Sequence, residues 1–160
     1  MEIWDLITKI RDALKDQEDI TTWCQANFEQ DHHVYICYDE RNPPPEDHYP
    51  ILVISATEQE RSLRVDYGSM TVEIGYGIMD ETKSTSGNVV TYTGQQKILA
   101  FRETVETVLF GLNPASDLGG AWIEAAHELI EPVEAFPVFL SNVEYTFRNP
   151  DRFSTILAQT

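Results

Sequence analysis

Histidine and aspartate side chains flank a proline-rich segment, and they have the most obvious chemistry in this sequence. Asp31, His32 and His33 precede the segment, while Asp47 and His48 lie near its end. Imidazole nitrogens and carboxylate oxygens are common zinc ligands, so these side chains can in principle gather around a metal ion. However, the helical His-x3-His spacing is absent, and loops of this kind are acidic by composition. We predict no metal site and keep a small metal-dependent hydrolase as an alternative.

Other signatures of catalysis and cofactor binding are missing from the sequence. Gly75-Tyr76-Gly77 falls inside a predicted strand, and Gly119-Gly120 matches neither a dinucleotide-binding nor a P-loop pattern. No serine stands in a nucleophile elbow, and no cysteine is paired with a histidine at a recognisable spacing. We therefore predict that the protein is not an enzyme, has no catalytic residue and binds no cofactor.

The charge is strongly acidic. Twenty-seven acidic residues against eleven basic residues give a formal net charge of −16. A protein that grips DNA or RNA neutralises phosphates with clustered Lys and Arg, so the composition argues against that class. The acidity either keeps the fold soluble, or stops the surface from adhering to a nearby polyanion, or imitates one. An acidic DNA mimic that inhibits a nucleic-acid-binding host protein is accordingly a second alternative.

Length and composition indicate one globular domain. With 160 residues, of which 42% are hydrophobic, the chain can bury a core without staples. We place a single domain at 1–150 and a C-terminal tail, which includes Phe153, at 151–160. No apolar run approaches the ~20 residues of a membrane helix, and no signal-peptide pattern is seen, so no membrane partner is expected. Cys24 and Cys37 are expected to be small core residues of a reducing cytosol, with a single disulfide left open.

One amphipathic helix, at about 94–112, organises the predicted fold. Thr93 and Gln96 form a capping box at its start, and Asn113-Pro114 ends it. Two large apolar residues, Leu99 and Phe110, fall off its apolar stripe. They need cover from another part of the chain or from a neighbouring subunit. The stripe that should pack on a sheet consists of Ile98, Phe101, Val105, Val108, Leu109 and Leu112.

The remaining elements predict an α+β fold with a mixed, mostly antiparallel sheet. An N-terminal amphipathic helix covers residues 2–16, with Trp4 off its apolar seam as a contact residue or packed under its own neighbours. A capping box of Thr22 and Gln25 opens a second helix. Strands are predicted at 34–38, which we expect to be central in the sheet, and at 51–56, 61–67, 70–78, 121–131 and 143–147.

A polar connection at 80–92 separates the long strand from the organising helix. Its second half carries Val89, Val90 and Tyr92, which makes it more apolar than a simple linker. Connections of this length are usually functional or disordered. We predict a flexible arm or hairpin that orders against a partner; the alternative is a mobile loop without a role.

The order of these elements resembles the tail terminator and tail completion proteins, or head–tail joining proteins, of long-tailed bacteriophages. The N-terminal helix EIWDLITKIRDAL, the strands HYPILVISA and SMTVEIGYGIM, the helix ILAFRETVETVLFGL and the closing FPVFLSNVEYTFRNP carry the resemblance. It implies a structural virion protein, assembled in the host cytoplasm, that closes into a hexameric ring. Such a ring caps the head-proximal end of the tail tube, binds the tube protein and a neck or connector protein, and lets DNA pass without specific binding. The candidate interface residues are Trp4, Val89, Val90, Tyr92, Leu99, Phe110 and Phe153.

Overall fold

The computed structural model describes residues 1–39, 41–60, 67–129 and 136–150. Phe153 and most of the strand predicted at 61–67 therefore lie outside the described residues. A short 3-10 turn covers Glu46–His48. The helices and strands of the described ranges are α1 (Ile3–Leu14), α2 (Glu18–Phe28), β1 (His33–Ile36), β2 (Ile51–Glu60), β3 (Tyr67–Met79), β4 (Lys83–Ser86), β5 (Val89–Tyr92), α3 (Gly94–Gly111), β6 (Trp122–Leu129) and β7 (Val138–Pro150).

Five strands form one mixed sheet in the order β1-β2-β3-β7-β6, and β4 pairs with β5 in a separate hairpin. Only β1 and β2 are parallel in the five-stranded sheet; its other neighbouring strands are antiparallel. A parallel pair needs a long connection that returns the chain to the same end of the sheet, and residues 37–50 supply it. The predicted α+β class, with an N-terminal helix and a mostly antiparallel sheet, is confirmed.

The two long strands β3 and β7 contribute a large part of the core. Alternate residues of β3 are buried on the face that the helices cover, because side chains along a strand point to opposite faces in turn. Their partners on β7 are buried on the same face. The pairs, from one end of the sheet to the other, are Met70 with Phe147, Val72 with Tyr145, Ile74 with Val143 and Ile78 with Phe139.

Helix α3 packs its apolar stripe on this face as predicted. Phe101 and Val105 are fully buried, and the remaining stripe residues are buried or partly buried. The first turn of α3 lies very close to β7: a Cβ added to Gly94 would stand 2.1 Å from Cε2 of Phe139. Only glycine fits at this contact, which sets how closely the start of the helix approaches the sheet.

The start of helix α2 was predicted wrongly. Thr22 lies inside α2, which begins four residues earlier at Glu18 with the side chain of Gln17 accepting a hydrogen bond from the Glu18 N–H. The Thr22–Gln25 pattern resembles a capping box because Thr and Gln have the right spacing, but the side chain of Gln17 supplies the cap instead.

The predicted Thr93–Gln96 capping box at the start of α3 is also wrong. Thr93 makes no side-chain cap, and its hydroxyl donates to the carboxylate of Asp80.

Strand β1 is an edge strand and not the central strand that its apolar character suggested. It pairs only with β2 among the described residues. Val34 and Ile36 pack against the helices, while the other face of β1 is covered by the end of the proline-rich connection. An edge strand covered on both faces has the composition of a central one. By contrast, the strand predicted at 121–131 is confirmed as β6.

Two buried tyrosines bring hydroxyl groups into the core. The hydroxyl oxygens of Tyr76 and Tyr145 lie 2.6 Å apart, and Tyr145 donates to Oε1 of Glu106 at 2.8 Å. Burial raises the pKa of both phenols above their usual value. The chain of hydrogen bonds satisfies both hydroxyls, and it joins β3 and β7 to α3.

Replacement of Val105 by Asp tests the packing of α3 on the sheet. Val105 is fully buried, and an unpaired carboxylate there should lower the free energy of unfolding by about 3–5 kcal/mol. Gln96→Asp on the exposed side of the same helix is the control and should change it by less than about 1 kcal/mol, because an acidic residue is tolerated in a first turn. Urea unfolding measures both. Equal midpoints for the two variants would contradict the packing described.

Candidate functional site

The predicted arm is a two-stranded antiparallel hairpin. Strands β4 and β5 pair from Lys83 with Tyr92 to Ser86 with Val89, and Gly87 supplies the positive φ of the turn. Every residue from 81 to 90 is exposed. The hairpin therefore presents Val89, Val90 and Tyr92 to solvent. Whether the hairpin moves or orders against a partner stays a prediction.

Asp80 fixes the base of the hairpin. Its carboxylate accepts hydrogen bonds from the Thr82 N–H at 3.0 Å, the Thr82 hydroxyl at 2.6 Å and the Thr93 hydroxyl at 2.7 Å. Lys97 of α3 lies 3.3 Å from the same group, whose side chain is 5% exposed. Burial alone would raise the pKa of Asp80, but these donors outweigh it and hold the pKa below its usual value. The carboxylate thus joins the end of β3, both ends of the hairpin and the first turns of α3.

A groove lies between the hairpin and the body of the protein, and we call it the hairpin groove. It has a volume of about 570 Å³ and is lined by Val90, Thr91, Tyr92, Gln95, Phe136 and Phe139. Phe139 is buried, whereas Phe136 is 51% exposed and its ring lies 5.3 Å from that of Tyr92 in an edge-to-face contact. Sequence reasoning did not select Phe136. Its position beside Pro137, before a buried strand, gave no sign of the hairpin packed across it.

The outer side of α3 carries the two apolar residues that fall off its core stripe. Leu99 is 41% exposed and Phe110 is 55% exposed. Between them, Arg102 forms ion pairs with Glu106, at 3.9 Å, and with Glu128 of β6. The ring of Phe110 also rests against Tyr145, with centroids 6.2 Å apart. No described part of the chain covers either apolar side chain fully, and cover from a neighbouring subunit stays a prediction.

Trp4 lies at the other end of the molecule from the hairpin groove. Its side chain is 60% exposed. The carbonyl of Met1 accepts a hydrogen bond from Asn149, and the Ile3 N–H bonds to the side chain of Gln59. Both contacts place the start of α1 at the ends of β2 and β7, whereas the hairpin groove adjoins the beginning of β7. Among the described residues, the predicted interface residues therefore include Trp4 at one end of β7 and the hairpin residues at the other.

The histidines near the proline-rich segment are engaged in structural contacts. His32 is buried and its Nε2–H donates to the carbonyl of Leu14 at 2.8 Å; burial lowers its pKa. The rings of His33 and His48 stack with centroids 4.2 Å apart, and His33 Nδ1–H donates to the His48 carbonyl at 2.9 Å. Tyr35 bonds to His48 Nδ1. Within the described ranges no group of three His, Cys, Asp or Glu side chains is placed to hold a metal ion.

The face of the sheet opposite the helices holds a smaller groove of about 310 Å³. Its floor includes Gly75 and Gly77. The sequence suggested a small or polar face here, open to a helix or to water, and no described helix covers it.

Cys37 lines this groove and is exposed, whereas Cys24 is buried in the core. The expectation that both cysteines are core residues is wrong for Cys37, and the two thiols are free rather than joined. In the part of the chain that the structure describes, no helix has the length and apolar character of a membrane span.

Replacement of Asp80 by Asn tests the base of the hairpin. Asn keeps the shape of the side chain, but it lacks the negative charge that faces Lys97, and an amide nitrogen replaces one of the two acceptor oxygens. The free energy of unfolding at pH 7 should therefore fall by about 1–3 kcal/mol. Because the native pKa is depressed, the contribution of Asp80 is present above the pKa of the unfolded state and is lost as the pH falls through the native pKa. Between pH 7 and acidic pH, the free energy of unfolding measured in urea should therefore fall less for Asp80→Asn than for the wild type. Glu81→Gln, an exposed neighbour, is the control; equal behaviour of both variants would contradict this role.

The thiols should react at very different rates in the native protein. Burial raises the pKa of Cys24 to about 12, so almost none of it is thiolate at pH 8. Cys37 is exposed. Ellman's reagent should titrate one thiol per chain in buffer and two in denaturant. Cys37→Ser should remove the fast-reacting thiol, and two fast thiols in buffer would contradict the packing of Cys24.

Neither models of known protein families nor curated proteins match this chain. The resemblance to phage tail terminators stays a prediction from element order and pattern. Within the described residues, the surfaces reported above offer apolar contact area: the hairpin groove, the outer side of α3, and Trp4.

Proposed function

We propose that the protein is a structural subunit of a phage tail, a terminator that forms a ring on the head-proximal end of the tail tube and joins it to the neck. The observation that carries the proposal is the separation of its exposed apolar surfaces. The hairpin groove and Trp4 lie at opposite ends of β7, and Leu99 and Phe110 lie on the outer side of α3. A subunit with different patches on different sides suits a heterologous contact, in which one patch meets another on the next copy and the chain of copies closes into a ring.

The resemblance of element order supports the same function. An N-terminal amphipathic helix, a long strand, an arm, a long helix and a closing strand follow one another in the order that suggested tail terminators. The likeness supports the proposal through the arrangement of elements alone, and the identity of the tube and neck proteins would follow from the phage concerned.

The acidic charge fits a protein that stands beside DNA without holding it. With a net charge of −16, the surface repels phosphates, whereas a cationic wall would retain them. A ring around a passing genome needs this property. The same charge makes copies repel each other in dilute salt, so contacts between them must come from apolar surface and from the few exposed cations.

The hairpin is the proposed arm of the ring. Its base is fixed by Asp80, while Val89 and Val90 at its far end are exposed. Apolar side chains at the end of a hairpin bury area only when a neighbour covers them, at roughly 25 cal/mol per Å². In this proposal the arm reaches the next subunit or the tube, and its burial there contributes to capping.

Shortening the hairpin tests the proposal. Replacing Thr85–Val90 by Asn-Gly keeps the Ser84–Thr91 pair as the closing pair of a two-residue turn. The variant should fold as a monomer with nearly unchanged stability, since these residues are exposed. Mixed with tail tube protein it should fail to form rings or caps in electron micrographs, and in infected cells it should give overlong tails or tails without heads.

The matched control keeps the hairpin length and its apolar residues. Ser84→Ala with Ser86→Ala alters only exposed hydroxyls and should form rings normally. Amide exchange gives a second measurement, because the amides of 83–92 should be better protected in the assembled ring than in the free subunit. Normal caps from the shortened variant, or a wild type that forms no ring with or without tube protein, would contradict the proposal.

A further inference from the structure

We infer that Trp4 of one copy inserts into the hairpin groove of the next copy. The inference rests on the proposed function, because it names the contact that links subunits in the proposed ring. It is argued from an exposed indole, an apolar cavity and their positions at the two ends of one strand.

Trp4 is a large apolar side chain that no described residue covers fully. It stands in the first turn of α1 and is 60% exposed, although the residues that follow on the inner face of the helix are buried. An aromatic side chain buries ~150–250 Å² when it is enclosed. Burial of the Trp4 indole in an interface would therefore be one of the largest contributions that a single side chain can make to binding. Tryptophan is also the residue type most often found at the energetic centre of an interface.

The hairpin groove has the size and chemistry to receive it. Its volume of about 570 Å³ falls in the range of binding pockets, ~300–1,000 Å³. The rings of Tyr92 and Phe136 contact each other edge to face, and the Phe136 ring also contacts the buried ring of Phe139. An indole placed against this cluster of rings finds edge-to-face partners, and Gln95 also lines the groove.

Trp4 cannot reach the groove of its own copy. The start of α1 is fixed to Asn149 near the end of β7, and Phe139 stands near the beginning of that strand. Ten residues of strand separate them, which is about 33 Å at ~3.3 Å per residue. The contact therefore joins two molecules. Since the contact uses a different surface on each copy, one copy of a pair keeps its groove free and the other keeps its Trp4 free for further neighbours, as a ring requires.

Charges beside the two surfaces are complementary. Exposed Glu2 and Asp5 flank Trp4 in the sequence and in the first turn of α1. Lys83 is exposed and pairs across the hairpin with Tyr92, so its side chain lies on the hairpin face that carries Tyr92 and Val90. None of the ion pairs between described residues includes Lys83. In an acidic molecule this places a cation where the carboxylates beside Trp4 would arrive.

A mixing experiment tests the contact. Trp4→Ala removes the indole and leaves the groove, whereas Val90→Glu obstructs the groove and leaves the indole; both positions are exposed, so the fold should tolerate both changes. In sedimentation across a range of concentrations, each variant alone should associate at least about thirtyfold more weakly than wild type. An equimolar mixture should form a species of about twice the 18.3 kDa monomer mass and nothing larger, because only one functional pairing is available.

Charge reversal at Lys83 gives an independent measurement. Lys83→Glu should weaken association, and the loss should shrink in high salt. Arg41→Glu changes the net charge equally at a site in the proline-rich connection, where its side chain is 90% exposed, and should have a smaller effect. Tyr38→Ala removes an exposed aromatic from the opposite face of the sheet and serves as the control for Trp4→Ala.

The outcomes separate this inference from the ring proposal. If Trp4→Ala associates like wild type, or if the mixture of the two variants stays monomeric, the inference is wrong while a ring through other surfaces still stands. A wild type that remains monomeric at every concentration also overturns the inference, and the experiment with tail tube protein then decides on the ring. Open chains that depend on Trp4 but never close would support the contact and contradict the ring.

Discussion

The antiparallel pairing of β3 with β7 is the constraint on which the rest of this structure depends. Thirteen consecutive residue pairs fix the register of the two strands, from Tyr67 with Pro150 to Met79 with Val138. A slip by one residue would move every buried side chain to the wrong face. With this register the buried side chains of both strands share one face, the helices pack on that face, and no described helix covers the other. The two ends of β7 lie at opposite ends of the paired strands. The positions of the hairpin groove and of α1 follow from that.

Periodicity predicted the parts of the fold that depend on local pattern. The α3 stripe, the N-terminal helix and the alternation of β3 come from side chains that must share one face, and that requirement is written in the spacing of residues such as Val105 and Ile74. Contacts between distant parts of the chain were not predictable in this way. Thr93 has the sequence of a helix cap, yet a carboxylate thirteen positions earlier binds its hydroxyl more favourably. Strand β1 has a central strand's composition because a loop covers its outer face.

The same division applies to the candidate site. Exposed apolar residues at Trp4, Val90 and Phe110 were recognisable because each breaks the local pattern of its element. The hairpin groove was not, since it exists only where the hairpin crosses Phe136, and no local pattern marks that residue. Sequence therefore identified single side chains that need a partner, whereas the shape that can receive one required the folded chain. The function proposed here depends on joining these two kinds of observation.

The bonding of Asp80 also has a mechanical consequence. A hairpin that is joined to its protein by backbone alone can rotate about its base. A force on its tip then rotates the hairpin and is not passed to the rest of the protein. Here the Asp80 carboxylate accepts hydrogen bonds from Thr82 and Thr93 at the two ends of the hairpin, and its ion pair with Lys97 joins the base of the hairpin to α3. Load applied at the tip must therefore pass into β3 and α3 together. We therefore expect the hairpin and the first turn of α3 to move together. A displacement of the hairpin tip by a binding partner would then shift the first turn of α3.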